Sequence, residues 1–137
     1  MKRSAKAIWN GSLKEGSGTF DTTSGAIRNQ SYSFRTRFED APGTNPEELI
    51  AAAHASCFSM ALAAQLGERG INPQSVVTTS TITFENLTLT KSALQTTVLA
   101  KGADRKKIDE AASAAKAGCP ISKVLKLDIT LELNVEV

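Results

Sequence analysis

A single histidine and two cysteines are all that this 137-residue chain offers of the residues that most often hold metals or act as nucleophiles. That scarcity removes whole chemistries. A three-histidine zinc site is impossible, and the two cysteines form no Cys-x-x-Cys pair, which argues against a zinc ribbon and a thioredoxin-type motif. There is no Gly-rich phosphate loop and no dinucleotide fingerprint. Basic residues number 16 against 14 acidic, and no Lys/Arg cluster is dense enough to suggest nucleic acid. The opening MKRSAKAIWNG is positive but is followed by no apolar run of signal-peptide length. With two cysteines 62 positions apart and no secretory signal, the expected compartment is reducing and cytoplasmic. The length suits one domain, residues 1–137.

What the chain does have is one long uncharged stretch, and the rest is organised around it. NPEELIAAAHASCFSMALAAQLG, from Asn45 to Gly67, opens with a capping Asn45 and Pro46 at the first helical position. Glu47 and Glu48 then sit at the positive end of the helix dipole, and Gly67 closes the helix. At about 100° per residue the apolar side chains go nearly all the way round, the mark of a central helix. The stretch is long enough for a membrane span. It is so rich in alanine, with His54, Ser56, Ser59 and Gln65 mixed in, that a buried helix and no membrane partner are expected.

Before this helix, residues 4–13 and 17–22 are predicted strands joined at Lys14-Glu15-Gly16, and Ser31–Phe38 alternates at the strand period. After it, Ser75–Lys101 is rich in β-branched residues and predicts two antiparallel strands, reversing near Asn86 or Lys91. Asp104–Ala117 predicts a second helix capped by Asp104, interrupted at Gly118-Cys119-Pro120 and resumed over 121–125. The terminal LDITLELNVEV alternates as a half-buried strand. The order is that of an α+β fold, antiparallel sheet around few, central helices.

Four residues carry the candidate chemistry. Cys57 lies mid-helix in apolar company, where a thiol is ordinarily inert. Cys119 lies at a helix break, where access and N–H groups favour a thiolate, although Gly-Cys-Pro can also be plain punctuation. A peroxide-reactive cysteine must be a thiolate, which a guanidinium such as that of Arg37 stabilises, and a carboxylate can hold the guanidinium in turn. Glu47 is about 80° from Cys57 around the helix and Glu48 about 180°, which favours Glu47. Taken singly, each carboxylate is also a plain dipole partner and Arg37 a plain surface charge. His54, one turn before Cys57, reads first as a packed, hydrogen-bonded core residue and second as a catalytic partner.

Two blocks, FRTRFED–PGTNPEELIAAAHASCFSMALA and AKAGCPISKVLK, with the opening AIWNGSLKEGSGTF–TTSG, closely resemble the OsmC (osmotically inducible protein C) and organic hydroperoxide resistance family of peroxiredoxin-like proteins. GCPISKVL looks closer to the OsmC branch than to the other, where Pro-Tyr-Ser usually follows the second cysteine. The resemblance covers nearly the whole chain. It implies an intertwined homodimer, with antiparallel sheets wrapped around central helices and two active sites at the subunit interface. It implies Cys57 as peroxidatic cysteine, Cys119 as resolving cysteine, Arg37 as thiolate activator and Glu47 as its partner, Glu48 remaining open.

The implied activity is a thiol peroxidase, in oxidative and osmotic stress defence, that reduces organic hydroperoxides, and hydrogen peroxide less well. It runs through a Cys57 sulfenic acid and a Cys57–Cys119 disulfide. A dithiol, in the family typically a lipoylated protein, would reset the disulfide, and neither cofactor nor metal is called for. Two other readings use the same residues: a redox sensor or stress-induced binding protein that does not turn over, and a binding module for which the cysteines are incidental.

Overall fold

The computed structural model describes all 137 residues and divides the chain into two compact units, Met1–Leu49 and Ile50–Val137. In the first unit, β1 (Ala5–Asn10), β2 (Ser17–Thr22) and β3 (Gln30–Tyr32) form an antiparallel sheet in the order β1-β2-β3. Its register sets Gly18 opposite Trp9 on one side and Tyr32 on the other. The two rings meet across the glycine, with centroids 5.4 Å apart. A Cβ on Gly18 would come within 2.7 Å of each ring and 2.8 Å of the Ile8 carbonyl oxygen, so the missing side chain is what lets the aromatic pair close.

The strand expected over Ser31–Phe38 ends early. Residues Phe34–Phe38 form a short helix, α1. The cause is a capping box: the Ser33 hydroxyl accepts from the Thr36 N–H and the Thr36 hydroxyl accepts from the Ser33 N–H, at 3.2 and 2.9 Å. Phe34 and Phe38, four apart, then fall on one face with ring centroids 4.8 Å apart. A helix α2 (Pro46–Glu68) follows, its first turn in this unit and the remainder in the next. Asn45 starts it by accepting from the Glu48 N–H at 2.9 Å. The same side chain donates to the Thr36 carbonyl, also at 2.9 Å, tying α1 to the start of α2.

The second unit is built on β4 (Ser75–Glu85), β5 (Thr88–Leu99) and β6 (Asp128–Glu136), with α3 (Arg105–Gly118) and α4 (Pro120–Val124) between the last two. β4 and β5 are an antiparallel hairpin. Asn86 and Leu87 turn it with φ of 49° and 58°, the left-handed pair that a tight hairpin requires. The all-antiparallel expectation is corrected at β6, which pairs parallel with β5. Parallel neighbours need a long crossover, and α3 and α4 supply it. Asp104 caps α3, accepting from the Lys106 N–H.

The core joins Phe58, Leu62 and Leu66 of α2 to Leu94 and Val98 of β5 and to Ile108, Ala111, Ala112 and Ala115 of α3. The alternate inward residues of β5 are Ser92, Leu94, Thr96 and Val98, all buried. Although α2 is apolar on every side, only one face is covered within the chain. Ala53, Ser56, Met60, Ala63 and Gly67 lie exposed on another face. By length and composition α2 could cross a membrane, yet its Phe58-Leu62-Leu66 face is packed into this core.

Replacing Gly18 by Ala is expected to destabilise the first unit by about 1–3 kcal/mol through overpacking. Urea unfolding followed at Trp9, the sole tryptophan, measures this. An unchanged midpoint and emission would show that the rings yield freely.

Candidate active site

The second unit brings both cysteines together. Cys57 sits on the fourth turn of α2, and Cys119 caps the break between α3 and α4. Pro120 starts the new helix because it needs no N–H there. That break turns Cys119 inward, where it is fully buried, while Cys57 is half-buried. Their Sγ atoms lie 2.9 Å apart, within hydrogen-bond distance, and either thiol can be the donor. This is longer than a disulfide bond, about 2.05 Å, and short enough for one proton to be shared. Two thiols this close do not ionise independently.

Burial raises Cys57, the hydrogen bond with Cys119 raises it further, and the Ile121 N–H works in the opposite direction. Burial also pushes against ionisation of Cys119. There, the dipoles of the Cys57 thiol, the Ser122 N–H and hydroxyl and the Ile121 N–H outweigh it and bring the thiol below its ordinary value. Within this unit Cys119 is therefore the easier of the two to ionise. Cys57 needs a further source of stabilisation to become a thiolate.

The first unit holds the other two candidates. Arg37 Nε and Nη2 both donate to Oε1 of Glu47, at 3.1 and 2.9 Å. The carboxylate that meets Arg37 is Glu47. Glu48 points elsewhere and accepts from the Thr44 hydroxyl at 2.8 Å. Glu47 is largely buried and the arginine side chain is 39% exposed, so the carboxylate fixes the guanidinium and leaves part of it accessible. Arg37 also stands over the Phe38 ring, 5.3 Å from its centroid. Beside it is a concavity of about 220 Å³ lined by Trp9, Leu13, Tyr32, Ser33, Phe34, Arg37 and Phe38. The lining is mostly aromatic and carries a single charge.

His54 is fully buried and is hydrogen-bonded at both ends, Nδ1 to Ser92 Oγ at 2.6 Å and Nε2 to Ser122 Oγ at 2.8 Å. Ser92 in turn meets Ser80 at 3.0 Å. These serines were not among the candidates read from the sequence. The available signal was a polar residue, Ser92, at an inward position of an otherwise alternating strand. No group of three or more His, Cys, Asp or Glu residues is arranged to hold a metal.

Residues 38–134 match the family model described as OsmC-like protein. The chain belongs to the OsmC-like family. It is 46% identical to "Peroxiredoxin OsmC" of Escherichia coli over 99% of this chain and 98% of that protein. To "Organic hydroperoxide resistance protein OhrB" of Bacillus subtilis it is 36% identical, over 70% of this chain and 74% of the other. Among solved structures, an OsmC-like protein of Vibrio cholerae superposes with a TM-score of 0.78 at 17% identity, covering 97% of this chain and 99% of that one. An organic hydroperoxide resistance protein OsmC of Legionella pneumophila gives 0.69 at 23% identity, over 98% and 97%. The fold is thus the α+β fold of OsmC-like proteins. Arg37 falls one residue before the family-model match begins.

Burial lowers the pKa of His54 from its ordinary 6.5. The unfolded chain therefore takes up a proton that the folded chain refuses as pH falls below that value, and stability drops. Urea midpoints are expected to fall between neutral pH and about pH 5, and His54→Gln is expected to flatten that fall. An equal fall in both proteins would show that His54 is not the group responsible.

Proposed function

We propose that this OsmC-like protein reduces organic hydroperoxides to alcohols through Cys57 and Cys119, as part of defence against oxidative and osmotic stress. The coarse class, a peroxiredoxin-like peroxidase, is that of the curated relatives. The observation that carries the finer reading is the 2.9 Å separation of the two sulfurs, which a short movement converts into a disulfide.

Cys57 thiolate attacks one peroxide oxygen along the O–O axis. The alkoxide leaves and takes a proton as the alcohol, and Cys57 becomes a sulfenic acid. Cys119 then attacks that sulfur, water is lost, and the Cys57–Cys119 disulfide forms. An external dithiol, which we take to be lipoylated as in the family resemblance, reopens it by exchange. The hydrogen bonds within the reduced pair favour ionisation of Cys119 over Cys57, so Cys57 requires a cation. We assign that part to Arg37, held by Glu47, in the assembled enzyme.

The substrate preference follows from chemistry beside Arg37. An aromatic concavity with one guanidinium suits an apolar alkyl or aryl tail carrying a polar –OOH better than hydrogen peroxide. Phe34 and Phe38 line that concavity, whereas Phe58 is wholly in the core.

The two units act as one domain in an intertwined homodimer, with α2 central to it. The exposed stripe Ala53-Ser56-Met60-Ala63-Gly67 supports this, since it is uncharged, follows a heptad-like spacing and leaves Met60 76% exposed. Sedimentation at twice the chain mass is the outcome this assembly requires. A cytoplasmic location, where reductant keeps the thiols cycling, belongs to the same reading.

Stopped-flow oxidation by cumene hydroperoxide is expected to be rapid, faster than with hydrogen peroxide, and to consume both thiols with a product two hydrogens lighter by intact mass. Cys119→Ser is expected to stop at the sulfenic acid, and Arg37→Met to slow the first step by at least about tenfold, roughly 1.4 kcal/mol. Slow oxidation, indifferent to peroxide type, would favour a redox sensor instead.

A further inference from the structure

We propose that Ser122, His54, Ser92 and Ser80 form a proton relay that ionises Cys119 for disulfide closure, with His54 as a positioning and proton-passing residue. The inference rests on the two-cysteine peroxidase reading and adds a step to it.

Cys119 is fully buried, so its thiol proton has no direct route to water. The Ser122 side chain lies where it favours the Cys119 thiolate, and its hydroxyl meets His54 Nε2 at 2.8 Å. From the other ring nitrogen the chain continues to Ser92 at 2.6 Å and then to Ser80 at 3.0 Å. Ser80 lies on β4 and is only partly buried. Four elements, α4, α2, β5 and β4, thus each contribute a link to one line of hydrogen bonds that starts at Ser122, three residues from the buried sulfur, and leads to the partly buried Ser80. A merely structural histidine needs one partner at each end; it does not need those partners to lead from a thiol to the surface.

The ring can pass a proton because burial keeps it neutral near pH 7, with one nitrogen donating and the other accepting. Besides the serines, the titratable groups at the inner end of the line are Cys57 and Cys119 themselves. The Cys119 proton moves to Ser122 Oγ as the Ser122 proton moves to His54 Nε2. The Nδ1 proton passes to Ser92, the Ser92 proton to Ser80, and the Ser80 proton to water. The Cys119 thiolate then forms the S–S bond with Cys57 while the sulfenic S–O bond breaks, and the departing hydroxide takes a proton from solvent as water. One proton leaves and one is consumed, so closure is neutral overall. After reduction the same line, its hydroxyls rotated, returns a proton to Cys119.

His54→Gln tests this most sharply, because an amide retains a donor and an acceptor but cannot relay a proton. With one equivalent of cumene hydroperoxide, His54→Gln and Ser122→Ala are expected to lengthen the lifetime of the Cys57 sulfenic acid at neutral pH by at least about tenfold. The closure rate should also move to higher pH in Ser122→Ala and lose its solvent isotope effect in His54→Gln. Closure with wild-type rate, pH profile and isotope effect in both variants would overturn the relay. A second measurement stands apart from peroxidase activity. In Cys57→Ser, thiolate absorbance is expected to show Cys119 ionising at higher pH once Ser122 is also Ala; no change would overturn the relay. If Cys119 responds in this way but the wild-type protein reacts slowly with peroxide, the peroxidase reading fails and the Ser122 link stands.

Discussion

The contact between two sulfurs 2.9 Å apart is the constraint on which the second unit depends. Cys57 reaches it because one face of α2, Phe58, Leu62 and Leu66, packs against β5 and the alanines of α3 and keeps that helix in place. Cys119 cannot reach it without the break at Pro120, which ends α3 and turns the chain inward before α4 begins. A continuous helix through Gly118-Cys119-Pro120 would carry the second sulfur past the first. Fixing two thiols at this distance has an electrostatic consequence, because the first ionisation suppresses the second.

That consequence divides the chemistry between the two parts of the chain. The Ser122 N–H and hydroxyl, with His54 behind them, serve Cys119, and the Ile121 N–H favours the ionised form of either sulfur. The charged pair of the first unit, Arg37 with Glu47, is a cation held in a defined orientation beside an aromatic concavity. In the proposed mechanism each sulfur thus has its own source of stabilisation. Every buried side-chain polar atom has a hydrogen-bond partner, so the serine-histidine line costs the fold no unsatisfied group.

Much of this was legible in the residues. Asn45-Pro46 and Gly67 bracketed α2 to within a residue, and Asp104 marked α3, because caps and breakers act locally. The two cysteine blocks carried the family resemblance, and the Arg37–Glu47 pair is present with Glu47 rather than Glu48. What escaped was non-local or competed with a stronger pattern. The Ser31–Phe38 alternation mimicked a strand, and the Ser33–Thr36 capping box overrode it. The parallel pairing of β6 depends on how α3 and α4 return the chain, which no strand pattern encodes. Ser92 and Ser122 lie 38 and 68 positions from His54, so nothing short of the folded sheet brings them together.

The most direct test of the central claim is a titration of thiolate absorbance in the reduced wild-type protein, with Cys57→Ser and Cys119→Ser beside it. Proton sharing predicts two well-separated steps in the wild type, one thiolate per chain in the first, and a second at higher pH than either single variant shows. Two thiols titrating together, each at the value of its single variant, would contradict it. The sulfurs would then be neighbours without coupling.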